Sequence, residues 1–194
     1  MKLILILFLI LIILQIKEKK KEKLEDMPNI KAYKMANKLG IGYINNFNLP
    51  IKGTAVMFDI DDTLLYVNGN NLIPIKPMIN LLNYCIEKGL LIIIITARDN
   101  KYQKETINDL NHFGINYSFL YLRQTPQDNH ELFKSNIKEQ LIKNHGIHIL
   151  MSVGDNTIDI IGPYSGYGLK LPNKSNKNLY ETSLDGSNLN LIKI

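Results

Sequence analysis

Thr54-Ala55-Val56-Met57-Phe58-Asp59-Ile60-Asp61-Asp62-Thr63 is the stretch that decides the fold. Its first five residues form an apolar run that reads as a buried β-strand over 54–59. Asp59 and Asp61 leave the tip of that strand on alternate residues, and Thr63 follows two further on. Open α/β sheets place their chemistry at the carboxyl ends of strands. A carboxylate pair there can serve as nucleophile, metal ligand and acid/base. The alternative is a polar turn after a strand, because Asp is common in turns.

Downstream, strands and helices alternate. Pro77 opens a helix that runs to Lys88 and stops at Gly89. Leu90 to Ile95 is a continuous aliphatic run, too short for a helix and suited to a central parallel strand. A helix from Lys101 to His112, a strand from Tyr117 to Leu122, a helix from Glu131 to Asn144 and a strand from His148 to Val153 follow. A short fifth strand is expected at Gly168–Leu171, ahead of Pro172. This alternation predicts an α/β fold, a doubly wound parallel sheet of Rossmann-like type. Upstream, residues 29–48 show helical spacing that Gly40 and Gly42 are expected to break.

The N-terminus is a separate object. Leu3 to Leu14, extended by Gln15 and Ile16, is almost wholly apolar, and Lys17-Glu18-Lys19-Lys20-Lys21-Glu22-Lys23 follows. The apolar run is shorter than the ~20 residues that span a bilayer comfortably. No small-residue cleavage site follows it. It reads as an uncleaved signal-anchor or membrane-associating segment, apolar on every side. The five lysines after it, against one before, favour a cytoplasmic globular part; a secreted protein is the alternative. The division expected is 1–16 hydrophobic segment, 17–28 charged linker, 29–172 globular domain and 173–194 loose polar tail.

The 194 residues allow one ordinary domain plus an appendage. A hydrophobic fraction of 45% and a charged fraction of 21% are those of a globular protein. Net charge is +5, but Arg98 and Arg123 are the only arginines and there is no Arg-rich stripe. This argues against a nucleic-acid partner and still favours anionic substrates. Cys85 is alone, which excludes an intrachain disulfide and a cysteine-based zinc site. No phosphate-binding GxxxxGK[ST] loop is present, and His112, His130, His145 and His148 have no metal-ligand spacing.

Three further signals stand at strand tips or helix starts. Thr96-Ala97-Arg98 follows the aliphatic strand, where a hydroxyl and a backbone amide can hold a phosphate oxygen; Thr96 as a turn cap is the alternative. Gly154-Asp155-Asn156-Thr157-Ile158-Asp159 follows the fourth strand and sets Asp155 on the same rim as Asp59, with Asp159 one helical turn further. Oxygen ligands from two strand tips suit Mg²⁺. Lys134 stands near a helix start, with Lys138 one turn later.

The order DxDxT, Thr-Ala-Arg, helix lysine and GDxxxD resembles the haloacid dehalogenase-like hydrolase superfamily over residues 50–172. The stretches Val56–Leu65, Ile94–Arg98, Leu132-Phe133-Lys134-Ser135, Val153–Gly162 and Lys170-Leu171-Pro172-Asn173 are most similar to its class B and plant-type acid phosphatases. The resemblance implies a phosphomonoesterase in which Asp59 is the nucleophile and Asp61 the general acid/base. It also implies that Thr96, Ala97 and Lys134 hold the phosphoryl group. Asp59, the main-chain carbonyl of Asp61 and Asp155 would hold Mg²⁺, with Asp159 in support. One departure is plain: only Tyr66 to Ile75 separates the first motif from the Pro77 helix, so little or no cap is expected and the site should be open. The partner is then a small phosphate monoester or a phosphorylated macromolecule. A phosphotransferase, or a membrane-tethered scaffold that keeps the fold without turnover, is the alternative.

Overall fold

In the computed structural model, residues 2–25, 27–50, 52–125, 127–173, 179–182 and 189–192 are described, with backbone alone for 2–4, 17–25 and the last two segments. The chain forms two compact units, Met1–Lys31 and Ala32–Ile194.

The first unit carries helix α1, Lys2–Glu25. Its side chains from Leu5 to Leu14 and at Ile16 are exposed, so apolar surface faces outward on every side. The apolar residues 3–16 rise about 21 Å at ~1.5 Å each, short of the ~30 Å hydrocarbon core of a bilayer. No helix among the described residues is long and apolar enough to cross a membrane.

The second unit is built on one mixed sheet. Helix α2 (Ile30–Ile44) leads into it. The helix runs through Gly40 and Gly42, where the glycines were expected to end it. Burial explains the difference at Gly40: a Cβ there would lie 2.7 Å from Leu81 Cδ2 and 3.4 Å from Leu169 Cδ2. Close approach to these leucines offsets the ~1 kcal/mol that glycine costs inside a helix.

Strand β1 is Thr54–Phe58, and all five of its residues are buried. A two-stranded hairpin follows, β2 (Leu65–Asn68) and β3 (Asn71–Pro74), turning at Gly69 with φ +58°. It is the whole of the expected flap. Then come α3 (Lys76–Glu87), β4 (Leu91–Asp99), a 3₁₀ turn at Asn100–Tyr102, α4 (Gln103–His112), β5 (Phe119–Arg123), α5 (His130–His145), β6 (His148–Gly154), α6 (Thr157–Ile160) and β7 (Tyr167–Lys170). Two further strands, β8 (Leu179–Thr182) and β9 (Leu189–Ile192), arise from the segment expected to be a loose tail. They pair antiparallel on the β7 edge, with Leu169 opposite Glu181 and Lys170 opposite Tyr180. The remainder of that tail lies outside the described residues.

The sheet order is β5-β4-β1-β6-β7-β8-β9. From β5 to β7 every pairing is parallel. The chain moves outward from β1 through β4 to β5, then returns to the other side of β1 for β6 and β7. β1 therefore sits where the winding reverses, the place at which α/β sheets open a crevice at their carboxyl edge. One core layer gathers Ala55, Met57, Ile93, Ile95, Leu141, Ile147 and Ile149, with Phe133 and Ile137 of α5 packed against it. Each such side chain contributes roughly 1.5–3 kcal/mol on burial, which fixes β1 and α5 as the rigid frame of the site.

Candidate active site

Asp59 follows the last residue of β1, and its backbone N–H donates to Val153 O at 3.1 Å. That bond ties the tip of β1 to β6. Asp59 is 6% exposed and Asp155 5% exposed, so both carboxylates are taken largely out of water. The carboxylates of Asp59, Asp155 and Asp159 offer oxygens that all lie within 4.8 Å of one another.

Lys134 supplies the cation among them. It lies one turn into α5, which starts on the Asn129 side chain accepting from Glu131 N and Leu132 N. Its Nζ donates to Asp59 Oδ1 at 2.8 Å and to Asp159 Oδ1 at 2.5 Å, with the lysine side chain 2% exposed. Lys138, one turn on, is buried too, and its Nζ donates to Asp159 O at 2.6 Å and Ser165 Oγ at 2.9 Å. The two lysines thus do different work. Lys134 meets carboxylates, whereas Lys138 holds the backbone behind them.

Asp159 is held from three directions. Besides the two lysines, its Oδ2 accepts from Asn156 N at 2.9 Å, which closes a reciprocal cap on α6. Asp155 is fixed by its backbone: Asp155 N donates to Thr63 Oγ1 at 3.1 Å, and Asn173 Nδ2 donates to Asp155 O at 2.9 Å. One of its carboxylate oxygens accepts from Asn156 Nδ2.

The electrostatics follow from this packing. Burial raises Asp59 well above the carboxylate range, although Lys134 opposes the rise. Burial, with Asp159 beside it, pushes Asp155 up to about 7. Burial alone would lower Lys134, but the charges of Asp59 and Asp159 outweigh it and hold the ammonium above its ordinary value. Burial also lowers Lys138 to about 7. Lys134 touches two of the three buried carboxylates, and Lys170, also buried, acts on Asp155 and Asp159 through its charge. Buried charge costs several kcal/mol per ion, and burial keeps Asp59 and Asp155 raised in spite of these lysines. Hard oxygen donors in that state fit a divalent cation such as Mg²⁺. Asp59 and Asp155 would hold it, because both oxygens of Asp159 are already engaged.

Asp61 stands apart from this cluster. Arg98 Nε donates to Asp61 Oδ2 at 2.9 Å and Arg98 Nη2 to Asp61 Oδ1 at 2.7 Å. A third bond runs from Arg98 Nη1 to Asp109 Oδ2 at 2.8 Å. The strand explains the aim of Arg98. Thr96 is opposite Leu122 and Asp99 is opposite Arg123, so Ala97 and Arg98 are extra residues in β4. Such a bulge re-aims a side chain. Thr96, buried, stands on the strand beside Asp59 and its Oγ1 accepts from Arg98 N at 3.2 Å. Thus Thr96 caps the bulge, while its hydroxyl proton is left to donate. Ala97 is half-buried within the bulge.

Of the residues singled out from the sequence, Asp59, Lys134, Asp155 and Asp159 meet directly, Thr96 and Ala97 line the adjoining strand, and Asp61 pairs with Arg98. Thr63, Asn156, Asn173, Arg98 and Asp109 were not assigned a place from sequence. Arg98 was visible as part of Thr-Ala-Arg, but its target was not. Asp109 lies in an ordinary polar helix and gave no signal.

Comparison with known proteins gives three results. A profile of the family described as HAD superfamily, subfamily IIIB (Acid phosphatase) matches residues 66–178, more than half of the chain. The match begins beyond Asp59 and Asp61, so it is independent of the first motif. No curated protein gives a significant match. Among solved structures, the class C acid phosphatase from Bacillus anthracis superposes with a TM-score of 0.56 at 19% identity, covering 71% of this chain and 66% of that one. A chain of the Pnkp1/Rnl/Hen1 complex superposes with a TM-score of 0.54 at 19% identity, covering 62% of this chain. This chain spans only 46% of that protein. At such identities the likeness is one of fold. The α/β sheet agrees with those structures, and the profile match, extending over most of the domain that carries the carboxylate cluster, means that this chain belongs to the HAD superfamily, subfamily IIIB, a family of acid phosphatases.

Proposed function

We propose that the chain is a Mg²⁺-dependent phosphomonoesterase that works through an aspartyl-phosphate on Asp59. The observation that carries this reading is the convergence of Asp59, Asp155 and Asp159 around Lys134 at the carboxyl edge of the central strand. A bound divalent cation supplies positive charge that offsets the repulsion between Asp59 and an anionic phosphate.

The chain's own residues do the rest. Lys134 neutralises Asp59 on one side and is placed to meet a phosphoryl oxygen. The hydroxyl of Thr96 and the backbone at Ala97 hold the same group from the neighbouring strand. An Asp59 carboxylate oxygen attacks phosphorus as the bond to the leaving oxygen breaks. Asp61, after taking up a proton from solvent on an oxygen released by Arg98, gives that proton to the leaving oxygen, then takes one from the water that attacks phosphorus and frees Asp59. Because Arg98 occupies both oxygens of Asp61, one of those bonds must open before the proton moves. Asp159 supports the site through Lys134 and Asn156.

The hairpin β2–β3 leaves the site open, which suits either a small monoester or a phosphorylated macromolecule. Residues 29–172 form the catalytic part in this reading. Helix α1 associates with a membrane through its apolar, exposed residues, and the lysines that follow favour a cytoplasmic domain, with a secreted protein as the alternative. Flotation of the full chain with liposomes, compared with residues 27–194, tests that attachment.

The deciding experiment is hydrolysis of p-nitrophenyl phosphate by the full chain, with Mg²⁺ or with a chelator, beside Asp59→Asn. Metal-dependent turnover that disappears in the variant is expected. A folded protein with no turnover on this compound or on a panel of nucleotides, sugar phosphates and phosphopeptides would favour a scaffold. Transfer of the phosphoryl group to an added alcohol in place of water would favour a phosphotransferase.

A further inference from the structure

We propose that Asp109 is a positioning residue for the general acid Asp61, acting through Arg98. This inference rests on the phosphatase reading of Asp59 and Asp61 and adds a residue that no motif contains.

The geometry is a three-member chain. Arg98 grips Asp61 through Nε and Nη2 and grips Asp109 through Nη1, at 2.9, 2.7 and 2.8 Å. Arg98 reaches this position because it lies in the two-residue bulge of β4. Asp109 is carried by α4, a separate element anchored by the buried Thr106 and Leu110. The guanidinium is therefore fixed from two sides: its backbone by β4 and its head by α4. The Arg98 side chain is 16% exposed, which favours a pairing held in one geometry over a loose surface contact.

Two consequences follow from elementary charge accounting. Asp61 must have one oxygen available to deliver a proton, yet Arg98 occupies both. An arginine without a second carboxylate would place its full charge on Asp61 and resist release of either oxygen. Asp109 shares that charge, and it gives the guanidinium a partner to keep when one bond to Asp61 opens. Without Asp109, Asp61 is either held too firmly or loses its orientation. In both cases proton delivery to the leaving oxygen suffers, while attack by Asp59 is preserved through Lys134, which Arg98 does not touch.

General acid help matters in proportion to how poor the leaving group is. p-Nitrophenolate leaves almost unaided, whereas an alkoxide needs the proton. The readout is therefore the ratio of kcat/KM on p-nitrophenyl phosphate to kcat/KM on glycerol 2-phosphate, measured for wild type, Asp109→Ala and Asp109→Asn. Asp109→Ala is expected to lower both values and to raise the ratio about tenfold or more. Asp109→Asn keeps an acceptor for Arg98 but not the charge, and its ratio should lie between the other two. A merely structural role would lower both substrates by one common factor. An unchanged ratio in both variants, with melting temperatures close to wild type, overturns the proposal. Because Asp109 is about one-third exposed, these substitutions leave no buried void. If Asp109→Ala fails to fold, Asp109→Asn alone decides, with a raised ratio for and an unchanged ratio against. Absence of metal-dependent turnover in wild type on either compound is a different result: it removes the phosphatase reading itself and this inference with it.

Discussion

Asp159 fills the space that a side chain at Gly154 would need: a Cβ on Gly154 would lie 2.2 Å from Asp159 Cβ and 2.3 Å from Asp159 Oδ2. The glycine ending β6 is thus a steric requirement of the carboxylate cluster. Replacing it forces Asp159 away from Lys134 and Asn156. Gly154→Ala is expected to cost about 1–3 kcal/mol, the range for overpacking a tight site. Activity should fall further than stability accounts for, and a melting curve beside a Mg²⁺-supported rate measurement checks both.

Lys134 is a buried ammonium between two buried carboxylates. Removing it by Lys134→Met strands both, at a cost of about 3–5 kcal/mol. Adding Asp159→Asn removes one of the stranded charges. The double variant is expected to regain part of the stability in urea titrations and none of the hydrolysis, because the phosphoryl contact is still missing.

Thr63 accepts the backbone N–H of Asp155, a bond that joins the first and last motifs across the top of the sheet. Thr63→Val keeps the shape and leaves that N–H unpaired, with an expected loss of about 1–3 kcal/mol. Thr63→Ser keeps the hydroxyl and should stay close to wild type. Mg²⁺ affinity measured by calorimetry should follow the same order, since Asp155 is held in place by that bond.

The raised carboxylates set the pH dependence. Asp155 binds its proton more tightly when folded, at about 7, than an ordinary carboxylate does, at 3.8. A folded value above the unfolded one means that the native state holds more protons in this window. The metal-free protein is therefore expected to lose stability as pH rises from about 4 to about 7. Asp59, raised by burial as well, extends the loss upward. Mg²⁺ competes with those protons, so its stabilising effect should grow over the same interval. Thermal melts with chelator and with Mg²⁺ at pH 5, 6 and 7.5 test this. Asp155→Asn should flatten the chelator series.

Much of this arrangement was legible before any coordinates. Period and run length gave β1, β4 and β6, because buried parallel strands are short, aliphatic and bounded by glycine or polar residues. Asp59 and Asp155 followed from their places at strand tips, whereas the choice of Lys134 over Lys138 and the supporting place of Asp159 came from the family resemblance. What was hidden depends on partners distant in sequence. Thr63 is an ordinary hydroxyl until Asp155 comes to it. Arg98 is one cation among many until a bulge turns it toward Asp61. Gly40 looks like a helix breaker because a sequence does not display Leu81 packed on it. The strands β8 and β9 were missed for a related reason: antiparallel pairing on an existing edge rewards backbone groups, and a polar, Asn-rich segment offers these as readily as an apolar one.

The place of β1 in the sheet separates two motions. Its five residues are buried, with a parallel partner on each side, so its amides exchange with solvent only when the whole domain opens. Asp59 rides on that strand. The hairpin β2–β3 that borders the site is a two-stranded sheet of its own, and such ribbons open locally at little cost. The mouth of the site is thereby expected to open ahead of its floor, and hydrogen exchange at Val67 and Leu72 faster than at Met57 would show it.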